Sequence, residues 1–150
     1  MKTIISFVAG IVLLLAVSLS SPVVNPATND ARERVTRVEA EIEVYLLPVC
    51  REVRAKGVRA GWQLMDSPAM NQEDYFSFFV FVVGTEVEGS ATLGHFAVNK
   101  WSGEVWNADT EELVSDSLLA GVQRILIQGH HIHETTVKKY RLKSLWAAKG

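Results

Sequence analysis

The sequence predicts an α+β fold: an antiparallel sheet packed against an N-terminal helix, with two C-terminal helices beyond it. Three observations carry that prediction. Tyr75, Phe76, Phe78, Phe79, Val80, Phe81, Val82 and Val83 form an aromatic and β-branched run, too short for a membrane span and of the composition that a mostly buried strand favours. A second apolar segment, Ala91, Leu93, Phe96, Ala97 and Val98, returns through Trp101-Ser102-Gly103 into Glu104-Val105-Trp106. Gly103 supplies the positive φ that a short hairpin loop demands. Helical spacing flanks this sheet, with Val35, Val38, Ile42, Tyr45 and Leu46 before it and Leu118, Leu119, Val122, Ile125 and Leu126 after it.

The chain begins with a segment of another kind. Lys2 is the only charge before Asp30, and Ile4 to Leu19 is almost continuously apolar, ending in the small residues Ser18, Ser20 and Ser21. A charged start, an apolar middle and a small-residue exit make a secretory signal peptide over residues 1–20, and hence a periplasmic or secreted protein. We expect cleavage after Ser20, with Ser18 as second choice, and no integral membrane span afterwards. The alternative is an uncleaved anchor through residues 4–19, a stretch only a few residues short of the ~20 that cross a bilayer. No cysteine near the exit supports a lipid-anchored maturation. Residues 21–29 (SPVVNPATN) hold Pro22 and Pro26 and read as an extended linker. A single domain should occupy residues 30–150, since 150 residues at 48% hydrophobic and 21% charged suit one globular core.

Within that domain, Asn29 or Asp30 can cap the first helix, because a short polar side chain accepts from the orphan amides of its first turn. Pro48 lacks an amide proton and crowds the carbonyl one turn earlier, so a kink or break is expected near Leu47. Val49 and Val53 continue the apolar side to Gly57, a natural left-handed stop. Gly61-Trp62-Gln63-Leu64-Met65 is a first strand ending at the Asp66-Ser67-Pro68 turn signal, and Leu113 and Val114 can anchor a last short strand. A helix capped by Ser115 or Ser117 runs to Gly129. A shorter one follows with Val137, Tyr140, Leu142 and Leu145 as its apolar members.

Charge bounds the partners. Cleavage after Ser20 removes one of the 15 basic side chains and none of the 17 acidic ones, moving the net charge from −2 to −3. Such a surface has no general attraction for phosphate backbones, so nucleic acid is not expected as a partner. The charges are unevenly placed. No lysine or arginine falls among Glu104, Asp109, Glu111, Glu112 and Asp116, whereas every charge from Lys138 onward is positive.

Candidate reactive groups are few. Cys50 is the only cysteine, which rules out an intramolecular disulfide, and its place among apolar helical positions reads as a buried inert thiol. His130, His131 and His133 with Glu134 raise the question of a metal, but the order HHIHE is no zinc-protease pattern. A solvated connection with Ile132 tucked into the core is the simpler reading, and no cofactor or metal is expected. His95, between Gly94 and Phe96 in a strand, is either a half-buried histidine with one hydrogen bond or an acid-base group facing a cavity. Ser90, Ser102, Ser115 and Ser117 lack the setting of a hydrolase nucleophile. Trp101, at the hairpin tip, is either an exposed anchor for a partner or a ring folded back over the sheet edge.

Val98-Asn99-Lys100-Trp101-Ser102-Gly103-Glu104-Val105-Trp106 resembles the V-N/D-x-x-T/S-G-x-V-W hairpin of small exported bacterial proteins, close to the strand pair of PepSY-type domains. The order of elements is similar to the cystatin-like or nuclear-transport-factor-two-like class, over residues 30 to 115, with the C-terminal helices as a departure. That resemblance implies a non-enzymatic protein that binds an enzyme: a protease or lysozyme inhibitor, or a periplasmic immunity protein against a secreted toxin or cell-wall hydrolase. Binding would then use Trp101, Ser102, Gly103, Glu104 and Trp106 of the hairpin and the acids Asp109, Glu111 and Glu112 as its rim. Two alternatives stand beside it: a small-ligand or enzymatic cone with His95 inside, and a structural envelope protein anchored by residues 4–19.

Overall fold

Five strands follow one another across one antiparallel sheet. They are β1 (Arg59–Met65), β2 (Tyr75–Val83), β3 (Thr92–Asn99), β4 (Val105–Asn107) and β5 (Glu112–Leu113), in the spatial order β1-β2-β3-β4-β5. Helices α1 (Arg37–Tyr45) and α2 (Pro48–Ala55) precede the sheet, and α3 (Ser117–Gly129) and α4 (Glu134–Arg141) follow it. The fold is thus the expected α+β. This computed structural model describes residues 34–67, 69–83, 91–141 and 144–146. The signal peptide, the linker, the start of the domain at residue 30, Asn29, Asp30, Pro68, Ser90, Leu142 and Lys149 lie outside the described residues.

Strand pairing decides what each face of the sheet does. Phe78 lies opposite Leu64 and Phe96, and Val80 opposite Trp62 and Gly94. Because side chains alternate along a strand, Phe78, Val80, Phe96, Val98 and Val105 share one face. That face meets Ala40, Val44, Leu47, Cys50, Leu119 and Leu126 from the helices, forming one buried core. Each fully buried Phe or Leu there contributes about 1.5–3 kcal/mol. Ser77, Phe79, His95 and Ala97 point the opposite way, out of the helical layer. The helix-facing side of the sheet is therefore filled by Phe78, Phe96 and helix side chains, and His95 lies on the other side, where it lines a small cavity.

The punctuating residues act as expected. The chain breaks between Tyr45 and Pro48, which opens α2 at its first position, and Gly57 takes φ 77° after α2. Cys50 is buried, and burial pushes its thiol up against the pull of Arg54. The apolar stripe of α1 needs correction. Val38 is 67% exposed, and the buried face is Ala40, Glu43 and Val44, about half a turn from the predicted one at 3.6 residues per turn. The helical start is also later than expected. Thr36 caps α1, accepting from the Glu39 amide while the Glu39 carboxylate accepts from the Thr36 amide, a reciprocal box. Val35, outside the helix, is nonetheless buried, its amide donating to the Lys100 carbonyl at 2.7 Å. In α3 the cap is Asp116 rather than Ser115 or Ser117, since its side chain accepts from the amides of Leu118 and Leu119.

Candidate functional site

The β3–β4 hairpin turn is held from inside. Asn99 is fully buried; its Oδ1 accepts from the amides of Trp101 (2.9 Å) and Ser102 (3.1 Å), and its Nδ2 donates to the Tyr140 carbonyl (3.1 Å). Gly103 takes φ 67° and donates its amide to the Asn99 carbonyl at 2.9 Å. Of the two readings of the tip, the structure shows the ring folded back. The Trp101 indole donates to Asp74 Oδ1 at 2.9 Å and stacks on Tyr140 at 4.5 Å. Ser102 is 1% exposed, Gly103 is buried, and buried Glu104 pairs with Arg141 at 2.7 Å. Trp106 is half-buried against Met70, Tyr75, Ala97, Ala108 and Leu145. The asparagine, serine and glycine of this motif thus build a turn and fix it to α4.

Asp109, Glu111 and Glu112 are exposed; Asp109 sits beside His95 and Glu111 at the Trp146 indole, whereas Glu112, paired through Asn107 to Phe96, has the helix-facing parity of the sheet. Asn107 Oδ1 accepts from the amides of Asp109 (2.9 Å) and Thr110 (3.3 Å), turning the chain after β4. This brings the Asp109 carboxylate back over β3, where Oδ2 accepts from the His95 amide (2.9 Å) and Oδ1 lies 2.7 Å from His95 Nδ1. Burial pushes the Asp109 carboxyl up, but the His95 amide, ring and charge outweigh it and hold the group below its ordinary value. Gly94 makes this approach possible. At φ 135° it adopts a backbone few L-residues take, and a Cβ there would meet Asp109 Oδ2 at 3.3 Å and the Phe96 ring at 3.2 Å. The same strand region carries a bulge, between Val80 and Phe81.

Around the pair lies an aromatic stripe. Phe79 packs against the His95 ring at 5.3 Å and against Phe81 at 5.5 Å, and Phe81 rests over Gly61, where a Cβ would come within 2.8 Å of its ring. Both phenylalanines are partly exposed. On the other side of His95 is a cavity of about 200 Å3, floored by Met65, Ser77 and His95 and walled by Met70, Ala108 and Asp109. Trp146 closes it, held by strand-like pairing with Met70 and by its indole donating to Glu111 Oε1 at 2.9 Å. Ser77 is 3% exposed and its hydroxyl has no hydrogen-bond partner. No lysine or arginine among the described residues pairs with Asp109, Glu111 or Glu112.

The histidine-rich segment is a connection. His130 Nε2 lies 2.8 Å from both carboxylate oxygens of Glu39, His131 takes φ 53° in the turn, His133 is exposed, and Ile132 is buried as expected. Among the described residues no group of three or more His, Cys, Asp or Glu side chains is arranged to hold a metal ion, and no helix is long and apolar enough to cross a membrane. Sequence reasoning missed the His95–Asp109 pair and the Trp146 roof. The first had a signal, because counting the β3–β4 register puts Ala108 beside His95 and Asp109 next after it.

No known protein family and no curated protein matches the sequence. Among solved structures, the fold is similar to that of a chain in the "Structure of a type VI secretion system effector-immunity complex from Pseudomonas protegens". The two share 17% identity at a TM-score of 0.54, over 73% of this chain and 88% of the other. At that identity the likeness is one of fold, on which many functions can be carried.

Proposed function

We propose that this is an exported, non-enzymatic protein that binds another protein and blocks it, as an immunity protein or an inhibitor of a cell-wall-degrading or proteolytic enzyme. The observation that carries the reading is the outer sheet face: Phe79, Phe81 and His95 form a continuous aromatic stripe, with the exposed Asp109 carboxylate against His95 and Glu111 at the nearby Trp146 indole. An aromatic centre with a charged rim is how compact interfaces obtain affinity and selectivity together. Acids that no lysine or arginine among the described residues pairs with favour a basic surface, whose opposite potential raises the encounter rate. The fold's likeness to a chain from an effector-immunity complex supports the same reading. Export rests on residues 1–20.

The binding face moves from the hairpin tip to this stripe, because Ser102, Gly103 and Glu104 are occupied in holding the hairpin to the helices. The test is a pull-down with the exported form, followed by an assay of whatever hydrolase co-purifies. Inhibition that falls at least ~10-fold in Phe81→Glu, the size of a hot-spot loss, supports the reading. Inhibition unchanged in Phe81→Glu and in the combined Asp109→Asn, Glu111→Gln, Glu112→Gln variant, both with melting curves like the parent's, overturns this face as the site.

A further inference from the structure

The cavity under Trp146 has a chemistry that names its occupant. Its volume, about 200 Å3, is below the ~300–1,000 Å3 of pockets that enclose a drug-sized ligand, and leaves room for one side chain. Met65, Met70 and the Trp146 indole offer apolar and aromatic surface to a long stem. At the mouth stands the Asp109 carboxylate, 49% exposed. Each Asp109 oxygen already accepts one bond from His95 and retains a second acceptor site, and Glu111 accepts from the edge of the Trp146 ring. On the floor, Ser77 carries a buried hydroxyl that satisfies no other group. A buried polar atom without a partner is uncommon enough to call for one.

We infer that this cavity is a receptor for a single arginine side chain of the partner protein, with the guanidinium on Asp109 and the stem along Met65, Met70 and Trp146. Arginine fits each requirement. Its planar fork matches a carboxylate and stacks on an indole or imidazole face. Its weak hydration lowers the penalty of entering an apolar site, and its five donors leave one for the Ser77 hydroxyl. Glu111 extends the same potential outward and steers the basic segment that carries the arginine. The inference deepens the proposed function and rests on it for the source of that side chain.

The pocket is tested without the partner. Acetyl-arginine-amide and its neutral isostere acetyl-citrulline-amide are titrated separately into the 15N-labelled protein, and the amide shifts of Ser77, His95 and Ala108 are followed. Saturable shifts with the arginine probe, at least tenfold weaker with citrulline, are expected. Asp109→Asn should weaken the arginine probe by tenfold or more, Ser77→Ala by two- to fivefold, and Met70→Trp, which fills the cavity, should abolish the shifts. The citrulline comparison uses the unaltered protein, so it holds even if a variant folds poorly. Absence of saturation, equal affinity for the two probes, or arginine shifts that persist in a folded Met70→Trp protein would overturn the pocket. Failure of the probes beside a successful pull-down removes this inference alone. A bound probe beside a pull-down that captures nothing removes the partner-binding reading.

Discussion

Glu43 is the residue whose placement runs most against its chemistry. It sits on the core side of α1, 0% exposed, and neither carboxylate oxygen has a hydrogen-bond partner. Burial, with a contribution from the neighbouring Glu39 charge, raises its carboxyl well above the ordinary value. The folded state therefore binds this proton more tightly than the unfolded chain does. Its contribution is fully present below the unfolded pKa and is lost as pH rises through the folded one. Glu43→Met, similar in length and without polar oxygens, should stabilise the protein by about 1–3 kcal/mol at neutral pH, the penalty of an unsatisfied buried group. Glu43→Gln should keep the orphaned polar atoms but remove the pH dependence from this position. Melting curves at pH 4 and pH 8 check both, and a gain for Glu43→Gln that is no larger at pH 8 than at pH 4 would contradict the assignment. Asp116 has the opposite sign. Burial pushes its carboxyl up, but the Leu119 amide and Arg51 outweigh this and hold it low. Its stabilisation is present above the ordinary carboxylate range and is lost as pH falls through the lowered value. Asp116→Ala should cost ~1 kcal/mol through the cap of α3, measured by urea unfolding at pH 7.

At the scale of elements, what could be read from sequence was whatever depends on backbone geometry. Pro48, Gly57 and Gly103 end or turn the chain for reasons internal to each residue, so the α1–α2 break, the stop after α2 and the β3–β4 turn were all legible. The run from Tyr75 to Val83 was legible as a strand because only a sheet uses such a composition over so short a span. The cap of α1 was readable too, in the Thr36-x-x-Glu39 spacing, had it been given more weight than the start of the charged stretch. The face of α1 was not. Amphipathic spacing assumes that carboxylates stay out of the core, and Glu43 does not. Nor was the cavity legible, since its roof comes from Trp146 and its wall from Met70, which only tertiary pairing brings together. Gly94 links element to site. Gly94→Ala should cost about 1–3 kcal/mol for its φ of 135° and push Asp109 away from the His95 amide. Carboxyl shifts of Asp109 followed by NMR should then titrate closer to the ordinary aspartate range. An unmoved titration would mean that the His95 contacts survive the extra methyl group.

For the molecule as a whole, the sheet separates two tasks by side-chain parity along β2. Phe78 and Val80 face the helices and hold the core, whereas Phe79 and Phe81 face outward and stack on each other, on His95 and over Gly61. A protein gains little stability from large rings left half in water, since the hydrophobic contribution scales with the area removed from solvent. An outward aromatic stripe is therefore expected to matter more for binding than for folding. Phe78→Ala should cost about 3–5 kcal/mol, the range for emptying a core phenylalanine site. Phe81→Ser should cost no more than ~1.5 kcal/mol, reflecting only its partial burial. Urea unfolding of the two variants, compared at equal slope, measures the difference directly. A large gap would leave the outer stripe free to serve a partner, and its aromatic composition would then reflect recognition. Equal losses would instead make Phe81 a second core residue, and the proposed binding face would lose the physical reason for its exposure.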